Sequence, residues 1–324
     1  MKFKSEQEFI ARIRKRAQKR PVGLVRGIGD DAAVIGSPPG LRWCLTTDLL
    51  IEGIHFDLRF DSPHSVGHKS LAAGLSDLAA MGATPRFALI SIATPPNRAH
   101  GFLPRFYQGF LELADRHNVA LIGGDTSSAR RQICIDVIAV GSVRAGHEVL
   151  RSGARAGDYL FVTGTIGKAA LGLDLLRHGK SPAGGREKLA VASHRYPTPR
   201  TGAGMQLGKT RLAASMIDIS DGLSTDLNHL CKESAVGARV YETRLPFLGA
   251  TFSKRMLKYA LTGGEDYELL FSVREDRVGE LHGEIGGVPV REIGRIVPRS
   301  KGVRIVRANG AIEPITPAGW DHFR

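Results

Sequence analysis

Asp218-Ile-Ser-Asp-Gly222 closes the apolar run Ala213–Ile219, which reads as a buried strand, and Leu223, Leu227 and Leu230 then fall on one face of a helix. A strand that hands two carboxylates and a glycine to the start of a helix is an α/β signature, and the device recurs along the chain. Gly27-Ile-Gly-Asp-Asp31 leads into the run ending at Ile35, and Thr46-Thr-Asp48 lies in the run from Leu41 to Leu49. Gly123-Gly-Asp-Thr126 follows Ala120–Ile122, and Gly263-Gly-Glu-Asp266 precedes Tyr267–Val273. A carboxylate at a strand end is costly to desolvate unless something positive meets it. Glycine at the same place lets a backbone or a phosphate approach. Five such places imply one shared cluster that holds divalent cations against a polyphosphate.

Each acid has a duller alternative. Asp30 and Asp31 follow a Gly-x-Gly turn, where Asp commonly accepts backbone N–H bonds. Thr46, Thr47 and Asp48 form an all-oxygen donor set suited to Mg²⁺. Asp77 sits mid-helix between Leu75 and Leu78, where Asp has poor propensity and caps nothing, so a ligand role gains weight. Asp125 follows two glycines at an expected strand end. Asp218 lies in an apolar strand and needs a partner, whereas Asp221 equally fits the N-cap of the next helix. Oxygen donors without paired histidines favour Mg²⁺ over Zn²⁺. Walker A and protein-kinase motifs are both missing, and Gly164-Thr-Ile-Gly-Lys168 has the wrong spacing for a P-loop. No Ser/Cys–His pairing stands out, so no catalytic nucleophile is assigned.

At 324 residues the chain exceeds the usual single-domain size, and 42 % hydrophobic residues suffice for a packed core. Apolar runs such as Phe87–Ala93 are strand-length, so no membrane span is expected. Cys44, Cys134 and Cys231 are scattered, which points to reduced core thiols in a cytoplasm. The net charge of +13 is concentrated between Lys2 and Arg26. There, Ser5 and Glu8 fit a capping box and Phe9, Ile10 and Ile13 one apolar face, so a basic helix surface explains the charge better than nucleic-acid binding. Helices are expected over Ser65–Met81, Phe102–His117, Lys168–His178, Glu187–His194 and Pro199–Leu207, with a strand at Tyr159–Thr163. Leu150–Asp158 reads as a boundary, and Asn309-Gly310 as a hairpin turn after Val303–Arg307.

Together, Gly27–Val34, Thr46–Asp48 with Gly53-Ile-His-Phe56, Ser76–Gly82, Gly123–Thr126, Asp218–Gly222 and Gly263–Leu269 resemble the thiamine-monophosphate kinases. The likeness runs in order to Gly319-Trp-Asp-His-Phe323. Acid-after-glycine motifs are shared with aminoimidazole ribonucleotide synthetase, selenophosphate synthetase and the hydrogenase-maturation dehydratase; the surroundings of His55 and the Gly-Trp-Asp-His-Phe ending single out the thiamine kinases. A selenophosphate synthetase is expected to carry a reactive Cys or Sec near its N-terminus, and the first cysteine here is Cys44. The dehydratase is expected to carry a C-terminal cysteine where this sequence has Phe323-Arg324.

The resemblance implies an α/β, two-domain PurM-like fold. Residues 1–149 would form a dimerising mixed-sheet domain that binds ATP and Mg²⁺, and residues 150–324 an α/β domain. It implies ATP-dependent phosphorylation of thiamine monophosphate to thiamine diphosphate, in a cytoplasmic homodimer, with several Mg²⁺ ions. Asp30, Thr46, Thr47, Asp48, Asp77, Asp125, Asp218 and Asp221 then stand at metal positions. Tyr107, Gly124, Asp125, Arg151 and Ser220 stand at nucleotide positions, and His55, Glu265 and Trp320 at thiamine positions.

Overall fold

The computed structural model describes residues 24–26, 30–31, 33–36, 39–248 and 253–322. The expected N-terminal helix around Ser5–Ile13, the turn Gly27-Ile-Gly29 and Phe323 lie outside them.

The first half runs β1 (Leu24–Arg26), β2 (Ala33–Gly36), β3 (Leu41–Ile51), α1 (Pro63–Ala80), β4 (Thr84–Thr94), α2 (Pro96–Arg116), β5 (Ala120–Ser128) and β6 (Cys134–Arg144). Its six strands lie in the order β1-β2-β3-β6-β4-β5. The pair β4–β5, bridged by α2, is parallel, and its neighbours are antiparallel. Leu71, Leu75 and Leu78 of α1 and Phe106 and Phe110 of α2 bury against Ile90, Val137 and Ala139 on one sheet face. The other face keeps Leu49 54 % and Ile122 57 % exposed, beside the partly exposed Trp43, Leu45, Phe87 and Ile138.

The second half runs β7 (Tyr159–Thr163), α3 (Lys168–Arg177), α4 (Gly185–Arg195), α5 (Thr201–Thr210), β8 (Ala213–Ile219), α6 (Leu223–Ser234) and β9 (Val236–Tyr241). It continues through α7 (Lys254–Thr262), β10 (Glu268–Val273), β11 (Glu284–Ile285), β12 (Val288–Pro298), β13 (Val303–Val306) and β14 (Ile312–Pro314). Its mixed sheet has the order β14-β13-β9-β12-β7-β10-β8, with β11 paired to β12. The β13–β14 hairpin turns at Asn309-Gly310, with Gly310 at φ 86.

Helix α1 is the shared axle of both halves. Ser62 caps it by accepting from the Ser65 N–H, Ser65 answers to the Ser62 N–H, and Pro63 opens the first turn. It packs on β3 and β6 of the first sheet and on β8 and β10 of the second. Small residues permit this. A Cβ on Gly67 would lie 1.9 Å from the Phe106 carbonyl oxygen, and one on Gly109 would lie 1.9 Å from that of His64, so α1 and α2 touch backbone to backbone.

Three expectations need correction. Strand β5 continues to Ser128, so Gly124 and Asp125 lie within an edge strand and not at its end. Helix α2 begins at Pro96, ahead of the expected Phe102, and tolerates Pro104 in its interior. Gly222, at φ 111, occupies the N-cap position of α6, so Asp221 is not a side-chain cap.

Candidate functional site

Where the two halves meet, β3 brings Thr46 and Asp48, α1 brings Ser76 and Asp77, and β8 brings Asp218. One carboxylate oxygen from each of Asp31, Asp77 and Asp218 lies within 4.8 Å of the other two. Ser76 Oγ donates to Asp218 Oδ2 at 2.6 Å, and Thr46 Oγ1 donates to Asp77 Oδ2. Arg151 grips Asp31 through Nε (3.1 Å) and a terminal nitrogen (2.5 Å), while its backbone N–H donates to Asp30 Oδ1 at 2.7 Å. Asp48 Oδ2 is buried and accepts from no group among the described residues.

The electrostatics of this group are unbalanced. Burial, then Asp136 and Asp31, push the Asp48 carboxyl up to about 7. Asp77 is driven well above the usual carboxylate range by burial and by Asp48, Asp218 and Asp31. Asp218 is driven the same way by burial and Asp31. Burial disfavours the charge on Arg151, but Asp31, with Asp218 and Asp30 behind it, keeps the guanidinium protonated. Like charges this close cannot all ionise unless cations enter. The donor set is oxygen throughout and suits a hard divalent cation.

Around the start of α6 the chain folds back on itself. The N–H groups of Asp221 and Gly222 donate to Asp226 Oδ2 at 3.2 and 3.0 Å. Burial, then Asp221 and Asp218, raise the Asp226 carboxyl well above its ordinary value. The Ser220 carbonyl accepts the Glu265 N–H at 2.8 Å, and the Asp221 carbonyl accepts the Trp320 N–H at 3.3 Å. Here Gly319 is required, since a Cβ would lie 2.0 Å from the Asp221 carbonyl oxygen.

His55, Glu265 and Trp320 gather at the adjoining end. Lys69 Nζ reaches both carboxylate oxygens of Glu265 at 2.9 Å, and His194 Nδ1 lies 3.1 Å from Oε2. Although burial opposes ionisation of Glu265, Lys69 and His194 hold its carboxyl at about 2. His55 Nδ1 accepts the Ile51 N–H at 2.9 Å, and its ring centroid lies 4.9 Å from that of His322, against which Trp320 packs edge-on. Burial, then His322, lower the His55 pKa, while Glu265 opposes them.

Four expected residues lie elsewhere. Thr47 alternates to the opposite sheet face from Thr46 and Asp48, and its Oγ1 donates to Asp136 Oδ1 at 2.6 Å. Asp125 pairs with Ser91, and Ser91 with Asp136, along one row of that outer face. Gly124 lies on the exposed edge, where a Cβ would fall 1.9 Å from the Ile90 carbonyl oxygen. Tyr107 packs its ring against Phe106 at 5.4 Å. Asp31, weighed beside Asp30 but not among the metal positions that the resemblance implied, lies with Asp77 and Asp218 at the acids; the residues missed from the sequence are Asp226, Lys69 and His194. For Asp226 a signal existed, an acid one helical turn beyond the Asp-Gly pair; Lys69 and His194 carried none.

A large cavity of about 1190 Å³ lies apart from these acids, lined by Gly164, Thr165, Lys168, Arg200, Phe247 and Arg291 among others. Lys168 and Arg200 both pair with the buried Glu268, and Asp266 takes the N–H groups of Gly167 and Ala169 at the start of α3. Its best anion donors are thus already satisfied from within.

Two halves of this topology, joined over a buried acid group, define the class. Residues 29–143 match the N-terminal domain of AIR synthase related proteins and residues 155–307 match their C-terminal domain. The thiamine-monophosphate kinase of Escherichia coli (strain K12) is 37 % identical over 327 residues, covering 98 % of each chain. That of Bacillus subtilis (strain 168) is 34 % identical over 304 residues, covering 92 % of this chain and 93 % of its own. The solved structure of AaThiL complexed with AMPPCP and TMP superposes with a TM-score of 0.85 at 33 % identity, covering 100 % of this chain and 99 % of that one. The chain belongs to the AIR synthase-related family, as one of its thiamine-monophosphate kinases. Among the described residues no helix is long and apolar enough to cross a membrane.

Proposed function

We propose that this thiamine-monophosphate kinase moves the γ-phosphoryl group of ATP directly onto the phosphate of thiamine monophosphate, in a site whose carboxylates hold Mg²⁺. The observation that carries this reading is the buried set Asp31, Asp77 and Asp218 beside the unpartnered Asp48 Oδ2. Bound Mg²⁺ supplies charge neutralisation and Lewis-acid polarisation of phosphoryl oxygens. Asp30, Asp31, Thr46, Asp48, Asp77, Asp218 and Asp221 are the ligands proposed from one chain. Arg151, already fixed by Asp31, adds a permanent cation for the nucleotide phosphates, and Ser220 borders them. Glu265 accepts from the aminopyrimidine and Trp320 offers a stacking face for a cationic ring. The acceptor phosphate is largely dianionic near neutral pH, so no side chain is needed to deprotonate it. Positioning and charge compensation do the rest.

Thr47, Gly124 and Asp125 fit the same scheme if a second copy covers the outer sheet face, whereas Tyr107, packed against Phe106 on α2, does not lie on that face. That face presents Leu49, Ile122, Trp43 and Phe87 to solvent next to Thr47 and Asp125. An apolar sheet face of this kind calls for a cover. We therefore assign dimerisation to the first domain, residues 1–149, and the outer wall of the thiamine end to residues 150–324.

The test is turnover of purified protein with ATP, thiamine monophosphate and varied Mg²⁺, with thiamine diphosphate read by chromatography. Product that needs both ATP and Mg²⁺ is expected. Binding of ATP without product would move the acceptor to another substrate, and absence of ATP binding would overturn the reading.

A further inference from the structure

We propose that Lys69 and His194 are positioning residues that hold the Glu265 carboxylate, from behind, in one orientation toward the thiamine end of the site. The inference rests on the reading of Glu265 as the contact for the substrate's amino-heterocycle.

The asymmetry of burial is the first support. The Lys69 and His194 side chains are 3 % and 2 % exposed, whereas that of Glu265 is 27 % exposed. A merely structural ion pair in a core would hide its acid as well. Here both basic side chains are shut away and the carboxylate alone shows a face. Lys69 bridges both oxygens, and His194 approaches Oε2 at ion-pair distance without the alignment of a hydrogen bond. Behind His194, Asp61 Oδ1 lies 3.8 Å from Nε2, so the ring stands between two carboxylates. Each oxygen of Glu265 keeps acceptor capacity for a ligand N–H.

The backbone supplies the second support. Glu265 and Tyr267 adopt φ 67 and 50, left-handed conformations that disfavour residues with side chains. They are held there by the bonds from Glu265 N–H to the Ser220 carbonyl and from Tyr267 N–H to the Ile219 carbonyl, at 2.8 and 2.9 Å. Gly264 allows the approach, since a Cβ there would lie 2.4 Å from the Ser220 carbonyl oxygen. Strain of this kind persists where surrounding structure over-determines it, and it clusters at sites that must be preorganised.

The third support is the placement of Lys69 on α1. It sits two helical turns before Ser76 and Asp77, on the face that carries Ser76, so one rigid helix sets both ends of the site about 10 Å apart. Lys69 thereby ties the position of the heterocycle contact to that of the acids.

The experiment compares wild type, Lys69→Met, His194→Gln, Glu265→Gln and the double variant Lys69→Met/Glu265→Gln, varying each substrate in turn. Loss of a buried charge-assisted bond predicts that Lys69→Met raises the KM for thiamine monophosphate roughly 10- to 100-fold while the KM for ATP stays within about twofold. His194→Gln should shift it less, in the same direction. The double variant should match Glu265→Gln alone, because Lys69 acts only through that carboxylate. The double also removes both buried charges, so it remains measurable if Lys69→Met fails to fold. Equal effects on both substrates, an additive double variant, or unchanged kinetics in Lys69→Met would overturn the proposal. Wild type that makes no thiamine diphosphate overturns the kinase reading instead; the same variants are then compared by calorimetric titration with thiamine monophosphate, and loss of the difference there overturns the positioning role too.

Discussion

Replacing Asp48 with Asn separates charge from shape at a buried carboxylate oxygen in the cluster that accepts nothing among the described residues. In the cation-free protein the Asp48 carboxyl is pushed from 3.8 up to about 7, first by burial and then by Asp136 and Asp31. The unfolded chain releases this proton near its ordinary value, whereas the folded chain keeps it until near neutrality. Stability therefore falls as pH rises between those two values and is level above them. Three pH units correspond to about 4 kcal/mol; relaxation and sharing of the proton among neighbouring acids reduce that to roughly 2–4 kcal/mol. The neutral amide of the variant carries no such penalty. Without divalent cations, Asp48→Asn should thus melt several degrees above wild type at about pH 8, and the gap should close near pH 4. Excess Mg²⁺ should close most of that gap. It stabilises wild type by roughly 3 kcal/mol at a hundred times its dissociation constant, and the variant has lost a ligand. Turnover should fall at least about 100-fold, because charge neutralisation at the transferring group is the main catalytic term. The assay is calorimetric melting of both proteins with a chelator and with Mg²⁺ at several pH values. A variant less stable than wild type in chelator at about pH 8, yet responding equally to Mg²⁺, would refute both the electrostatics and the ligand role.

Three other outcomes are expected. Gly67→Ala sets a Cβ 1.9 Å from the Phe106 carbonyl oxygen, so α1 and α2 must part, at about 3 kcal/mol or more by urea denaturation. Leu49→Lys on the exposed sheet face should convert the proposed dimer to monomers in light scattering and remove activity with little change in the monomer's circular dichroism; an unchanged mass would exclude that face as the interface. His229 is lowered to about 4 by burial, then Arg151 and Lys232. Its folded pKa lies below the unfolded value, so its contribution is complete above about pH 6.5 and is lost as pH falls toward 4, at roughly 2–3 kcal/mol, and His229→Asn should flatten that limb of the pH–stability curve.

The strand-to-acid joints were legible because they obey local rules: an apolar run, then an acid where the run meets solvent or a helix. Asp218 and Asp77 could be singled out since each stands where its type is costly. What stayed hidden depended on tertiary placement. Strict alternation in β3 puts Thr47 opposite Asp48, a consequence of strand geometry that ligand chemistry alone does not capture. Strand β12 is hard to read because its alternation is broken by the register shift between Glu292 and Gly294, where Gly294 lies almost on the Arg239 carbonyl. Helix α7 is equally faint although Met256, Leu257 and Ala260 make a short apolar face, since its single capping signal, Ser253, stands without a matching acid in the first turn. Lys69 looks like any helical lysine; only the fold turns its ammonium toward Glu265.

The economy of α1 explains why so much of the site rests on small residues. To bring Asp77 to Thr46 and Asp48, the helix must lie directly on β3 and β6, and a Cβ on Gly74 would already sit 2.8 Å from the Ala139 Cβ and 3.6 Å from Asp48 Oδ2. To bring Ser76 to Asp218 the same helix must also touch β8 of the second sheet. A helix squeezed between two sheets and another helix has no polar face to spare, and nearly all of α1 is buried. Polar side chains it carries toward the site are completed by partners across it: Lys69 by Glu265, Ser76 by Asp218, Asp77 by Thr46. A residue that is costly to bury thus persists on this face of α1 where another element completes it, and those completions converge on the two ends where phosphoryl donor and acceptor are proposed to meet. On this account Asp77 alone of the acids rides on α1, and the fold sets it against Asp48 of β3 and Asp218 of β8; its own burial and their charges drive its carboxyl well above the usual range.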